Sequence, residues 1–156
     1  MKRLIECTLV TMAAQPSAPP AGDSDDATEA FWQGGATGTL FIAHCAVCQH
    51  LTHPPRSACP QCGHPLAPTP VSGAGVVFTH TVNHQQFHPD AVPPYVIALI
   101  ELVEQPGLRL PANVVDCEPD EVYTGMPVHV QFQQRGTRFV PAFAPTRGPR
   151  VGSEEP

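Results

Sequence analysis

Four cysteines in two CxxC pairs, Cys45-Ala46-Val47-Cys48 and Cys59-Pro60-Gln61-Cys62, have the spacing in this sequence that most directly implies chemistry. Ten residues, 49–58, lie between the pairs, and Gly63 follows the second. A tight turn with a thiolate at each end aims two sulfurs at one point. Two such turns joined by a short hairpin enclose the tetrahedral S₄ site that Zn²⁺ favours. The spacing therefore predicts a zinc ribbon held by Cys45, Cys48, Cys59 and Cys62. Four thiolates fill every tetrahedral position and leave none for a metal-bound water or a substrate carbonyl, so the ion is structural. A redox CxxC expects one motif beside a βαβ unit, and a disulfide framework expects a short, cysteine-dense secreted chain. Cys7 and Cys117 stand apart as free thiols, and His44, His50, His53 and His64 read as loop residues beside a complete ligand set.

The remaining candidates for chemistry are weaker. His80, His84 and His88 fall four apart, a helical spacing, yet the segment is β-branched and ends at Pro89. On a strand His80 and His84 share a face, and His88 is left in the loop. No serine, cysteine or carboxylate motif completes a triad with them, which leaves the chain without a catalytic set of its own. The formal charge is −6, and four thiolates with one dication make it more negative by two. Lys2 is the single lysine, and the 14 acidic residues outnumber the 8 basic ones. That balance excludes a general binder of polyphosphate backbone.

These groups need elements to hold them. At 156 residues the chain suits one modest domain with a small appendage. Residues 1–24 form a disordered leader, richest in Ala, Pro, Ser and Asp between Ala13 and its end. Lys2-Arg3 before an apolar run imitates a signal peptide, but Glu6 interrupts it, and Met1 and Met12 are both possible starts. No stretch reaches the roughly 20 apolar residues of a membrane span. With thiolate zinc ligands, this places the chain in a reducing cytoplasm. A short helix over 25–35 is capped near Asp25 or Asp26, carries Phe31 and Trp32, and stops at Gly34-Gly35. So short a helix must dock its aromatic pair, on the body of the chain or on a partner.

The ribbon spans 36–70, with a first strand over Thr39 to Ala43 and an end at Pro65 to Pro70. Strand patterns then follow at Gly75 to Val82, Tyr95 to Val103, Leu108 to Val115, Val128 to Phe132 and Phe139 to Phe143. Five short strands over 71–145 without a long helix suggest a mainly β fold, a partly open barrel of the OB type. Residues 146–156 read as a frayed tail. With the ribbon too small for its own core, loss of zinc is expected to unfold it and leave the barrel largely formed.

The ordered segments FWQGGATGTLFIAHCAVCQHLTHPPRSACPQCG, SGAGVVFTHTV, PPYVIALIELVE and GMPVHVQF, which lie between Phe31 and Pro145, resemble the DUF35 family of zinc-ribbon/OB-fold proteins. The resemblance implies a rubredoxin-like ribbon followed by an OB barrel. It also implies an accessory role in acyl-CoA metabolism, in a hetero-oligomer with a thiolase-superfamily enzyme such as a lipid-transfer-protein-like thiolase, aldolase or acyltransferase. Phe31 and Trp32 would then help hold the partner. CoA phosphates would seek arginines, with Arg56 and Arg109 the foremost and Arg135 and Arg138 behind them. The pantetheine arm would seek an apolar mouth near Phe87, Pro93, Pro94 and Tyr95. The long proline-rich leader and the His/Gln-rich loop from Asn83 to His88 depart from the family pattern. The alternative is a nucleic-acid-binding protein, since ribbons and OB-folds occur there too, but such proteins need the basic, aromatic-lined groove that this composition lacks.

Overall fold

Alternation between buried and exposed residues builds the larger half of the molecule. The computed structural model describes residues 26–146 except 88 and 90. The leader, the alternative starts, Cys7, the Asp25 cap, His88 and residues 147–156 of the tail lie outside the described residues. In chain order the elements are α1 (Asp26–Gln33), a 3₁₀ turn (Gly34–Thr37), β1 (Leu40–His44), β2 (Leu51–Thr52) and β3 (Ala67–Val71). Then come β4 (Ala74–Asn83), β5 (Tyr95–Leu102), β6 (Arg109–Val114), a second 3₁₀ turn (Pro119–Glu121), β7 (Pro127–Arg135) and β8 (Arg138–Pro145).

β4 to β8 form a closed barrel in the order β4-β5-β6-β8-β7. The partly open barrel suggested by the sequence is corrected by two short ladders that the strand patterns do not reveal. β6 meets β8 in parallel at Asn113↔Ala142 and Val114↔Phe143, and β4 meets β7 over Ala74–Val76. Every second residue of β5 points inward, so Val96, Ala98, Ile100 and Leu102 are all buried. They meet Val77, Leu110, Val114, Val128 and Phe143 in the same core. A register shift between Val77 and Thr79 leaves Phe78 without a cross-strand partner and turns it to the outer surface.

The ribbon is a three-stranded sheet, β2-β1-β3. The stretch read as its end, residues 65–70, holds most of a strand that the sequence does not reveal, β3, which pairs with β1 from Leu40↔Val71 to His44↔Ala67. The sequence hides this strand because Pro68 and Pro70 cannot donate to a ladder; β3 tolerates them as an edge strand with β1 on one side only. Leu40 and Ile42 of β1, with Phe31 of α1, belong to the same buried cluster as the barrel interior. Gln105, in the β5–β6 turn, clamps the two halves from outside. Its side-chain amide accepts from Leu51 N–H at 2.8 Å and donates to Leu51 C=O at 2.9 Å, as a neighbouring strand would. Among the described residues no helix is long and apolar enough to cross a membrane.

Candidate metal centre and adjoining cleft

The two cysteine pairs sit on matching turns. Cys45 N–H donates to His50 C=O at 2.9 Å, and Gln49 N–H donates to Cys45 C=O at 2.8 Å. The second turn repeats this with Cys59 and His64 at 2.8 Å and Gly63 and Cys59 at 2.9 Å. Both turns need a left-handed residue at the fourth position after the first cysteine, and Gly63 (φ 74°) supplies it without cost. Gln49 (φ 61°) takes the same conformation with a side chain, held by bonds to His44 Nε2 at 3.1 Å and Ala46 C=O at 2.7 Å.

The turns bring all four Sγ atoms within 4.8 Å of one another. Cys45–Cys62 is 3.4 Å, and Cys48–Cys59 and Cys48–Cys62 are both 3.5 Å. These separations exclude a disulfide, which requires about 2.05 Å. They are close to the edge of about 3.8 Å for a tetrahedron with Zn–S bonds of 2.3 Å. Cys45 and Cys59 are buried, while Cys48 and Cys62 reach solvent. The donor set, its number and its spacing therefore fit one zinc ion.

The electrostatics of the cage also favour a cation. The backbone N–H of Cys48 holds the Cys45 thiol down to about 6. At Cys59 burial acts upward, and the N–H groups of Gln61 and Cys62, with the sulfurs of Cys48 and Cys62, outweigh it and lower the thiol. At Cys48 the N–H of His50 acts downward, yet burial and the neighbouring sulfurs push the thiol up to about 12. Like charges this close cannot all ionise without a counter-charge, so metal uptake must displace protons from the cage. Outside it, Cys117 is a free, half-buried thiol raised by burial and by Glu121, Asp116 and Glu118.

Beside the cage runs a cleft of about 280 Å³ between the ribbon residues His50–His53, Arg56 and Pro60 and the barrel residues Gln105–Arg109. His53 stacks on Phe31 with ring centroids 5.0 Å apart, and its Nδ1 is buried without a partner. Burial holds the imidazole down to about 4, below its ordinary 6.5, so it is neutral at pH 7. The native state thus binds this proton less readily than the unfolded chain. Its contribution to stability is complete above about pH 6.5 and is lost as pH falls towards 4 and below. The difference sets a ceiling of roughly 3 kcal/mol, and partial hydration brings the expected loss to about 2 kcal/mol. Acid unfolding of wild type and His53→Gln, with zinc content followed in parallel to separate metal loss, should show a shallower acid slope in the variant.

The residues expected to bind CoA divide between two places. Arg56 and Arg109 line the cleft together. Tyr95 lies in a separate groove of about 350 Å³ with Ala91, Ile97, Pro111, Asn113 and Arg135, and its hydroxyl accepts from Asn83 Nδ2. Phe87 is 73% exposed and lines neither. Arg109 is also committed, with Nε 2.7 Å from Glu101 Oε2 and its guanidinium 3.3 Å above the Phe78 ring. Phe31 needs a correction: it is 4% exposed and packed edge-on to Trp32, so it serves internal docking and presents no surface to a partner. Trp32 is half-buried on the same cluster, with Arg138 5.4 Å from its ring. Sequence reasoning missed Thr52, His53 as a buried ring, and Gln105. A turn glutamine that pairs with a strand 54 residues away leaves no local signal.

The family model for the rubredoxin-like zinc ribbon domain of ChsH2 matches residues 32–65, and that for its C-terminal OB-fold domain matches 68–133. A DUF35 domain-containing scaffold protein of Methanocaldococcus jannaschii is 39% identical over 100 residues, covering 61% of this chain and 68% of the relative. The chain belongs to the DUF35 family. This DUF35 chain is also 37% identical over 129 residues to a probable enoyl-CoA hydratase alpha subunit of Thermomonospora curvata. That match covers 81% of the chain but only 39% of the relative, so the chain spans about two fifths of that protein. Among solved structures, an Ltp2-ChsH2(DUF35) aldolase superposes with a TM-score of 0.72 at 35% identity, covering 82% of this chain and 99% of the other.

Proposed function

We propose that this DUF35 chain is a non-catalytic, zinc-containing accessory subunit of a thiolase-superfamily enzyme acting on acyl-CoA substrates in the cytoplasm. The observation that carries the reading is the match to the aldolase's DUF35 chain, which this chain covers almost end to end. The cage supports a supporting role, since four sulfurs leave the ion no open position for substrate. The outer face of β4 and β5 supports association with protein rather than nucleic acid. It exposes Val76, Phe78, Ile97 and Leu99; Phe78, the ring among them, is already covered by the Arg109 guanidinium, which Glu101 pairs, so these residues offer a strand neither a free stacking ring nor an unpaired cation.

The test is affinity capture of the tagged full chain from its native host, followed by turnover of the recovered enzyme with and without the chain. A thiolase-superfamily enzyme is expected near one-to-one, with acyl-CoA turnover falling at least tenfold when the chain is removed. Recovery of the chain alone, or with nucleic acid, contradicts the reading. So does acyl-CoA turnover by the chain on its own.

A further inference from the structure

Charge is unevenly divided along this chain. Residues 122–153 hold 4 of its 8 basic residues and none of its 14 acidic ones, although the whole chain carries a formal −6. The β7–β8 hairpin lies in that stretch, and Arg135 and Arg138 face each other across its last rung. Like charges directly opposite on a ladder repel and weaken it. Among the described residues neither guanidinium meets a carboxylate, whereas Arg109 has Glu101. A local rule broken without compensation inside the fold points to a role outside it.

The tip is held so as to present both cations. Gly136 takes the left-handed turn conformation (φ 62°). The Gln134 amide donates to Gly136 C=O at 3.3 Å, and the Gln33 amide of α1 donates to Thr137 C=O at 3.4 Å. The Arg138 guanidinium lies 5.4 Å from the Trp32 ring, a placement that leaves N–H donors at its edge free. Residues 134–138 are all exposed, and a projecting tip offers a small molecule no concavity, so what fits it is a macromolecular surface. The tip lacks a free ring for base stacking, because Phe132 and Phe139 pack against Gly35 and Arg138 occupies Trp32. Protein carboxylates remain, and each guanidinium can hold one in a bidentate pair. Opposite residues on a ladder have Cβ atoms roughly 5 Å apart, close to the roughly 5–6 Å between positions i and i+4 of a helix. We propose that the β7–β8 hairpin tip docks an acidic helix of a protein partner, with Arg135 and Arg138 each taking one carboxylate of a pair one turn apart. Resting on the accessory role proposed above, that helix belongs to the enzyme the chain joins.

The test uses the protein that the wild-type chain captures, purified and titrated calorimetrically with the zinc-loaded full chain at low and at physiological salt. Wild-type affinity should fall as salt rises. Reversing both charges, Arg135→Glu with Arg138→Glu, should weaken binding by about tenfold or more at physiological salt and invert the salt dependence. Arg135→Lys with Arg138→Lys should keep the salt dependence and weaken binding less than the reversal. In the isolated chain Arg135→Gln should melt no lower than wild type, because it relieves the cross-strand repulsion. A lower melting temperature would make the pair part of the fold and overturn the docking role. A complex that the reversed chain forms at wild-type affinity overturns this proposal and leaves the accessory role standing. A partner outside the thiolase superfamily that the reversal releases keeps the docking site and overturns the accessory role. A wild-type chain that captures nothing, or nucleic acid alone, overturns both.

Discussion

Replacing Cys45 with serine is expected to remove the zinc and to unfold the barrel along with the ribbon, and not to leave the barrel formed as the sequence alone suggests, because the two halves share one core cluster. Cys45 is fully buried and directly follows β1, whose Leu40 and Ile42 are each 1% exposed within the barrel's own core cluster. A structural zinc site supplies binding free energy on the order of 10 kcal/mol. The whole stability of a domain this size is roughly 5–15 kcal/mol. If β1 frays when the cage opens, the cluster loses Leu40 and Ile42 at once, and Phe31 loses the ribbon side of its packing, including the His53 ring. Zinc per chain, measured by elemental analysis, should fall from one to near zero. The thermal transition followed by circular dichroism should move below growth temperature or disappear. Cys48→Ser, on the exposed side of the cage, should lose the same metal with less damage to packing. A Cys45→Ser protein that keeps one zinc and its melting temperature would sink the cage assignment. One that loses zinc but keeps a cooperative barrel transition would show that the ribbon and barrel are energetically separate.

That coupling marks where the sequence stops being informative. The cage was legible because the CxxC spacing is a local statement of geometry. The barrel strands were legible because one buried face imposes a period of two, as in Val128, Val130 and Phe132. β3 was not, since Ala67–Val71 holds two prolines and owes its existence to the neighbouring β1. Barrel closure depends on pairs far apart in the chain, such as Gly75 with Val128, which local periodicity cannot report. The helix aromatics left two destinations open, and only packing decides that Phe31 turns inward. At the cleft, Arg56 and Arg109 could be named as cations, but their meeting in one place depends on the Gln105–Leu51 clamp. Tyr95, named with them, lies in another groove. Which residues share a site is a tertiary fact.

Gly34 and Gly35 make the same point, and they carry the second large prediction. Read in the sequence, they end a helix by conformational freedom. In the structure neither has a positive φ; the left-handed cap is Gly38, at φ 71°. They are glycine because there is no room. A Cβ on Gly34 would lie 2.3 Å from the Thr39 carbonyl oxygen and 2.6 Å from the Phe41 ring. One on Gly35 would lie 2.3 Å from Phe139 Cβ and 2.6 Å from the Phe132 ring. The 3₁₀ turn is thus wedged between the ribbon strand on one side and the β7–β8 hairpin on the other. Real Cβ atoms essentially never approach so closely, and the obstacles are a backbone oxygen and a Cβ, which cannot swing aside as a side-chain tip can. Gly35→Ala should therefore cost about 3 kcal/mol, at the upper end of overpacking penalties, and Gly34→Ala a similar amount. The change should appear as a fall of several degrees in melting temperature with zinc retained, because the cysteine turns lie outside the wedge. Gly38→Ala, with nothing within 4 Å of its Cβ, should cost only its left-handed conformation, about 1 kcal/mol. If Gly38→Ala proves the more damaging, the pair acts through backbone conformation after all. If the Gly35→Ala protein loses its zinc, the wedge and the cage are one cooperative unit, and the helix, ribbon and barrel then stand or fall together.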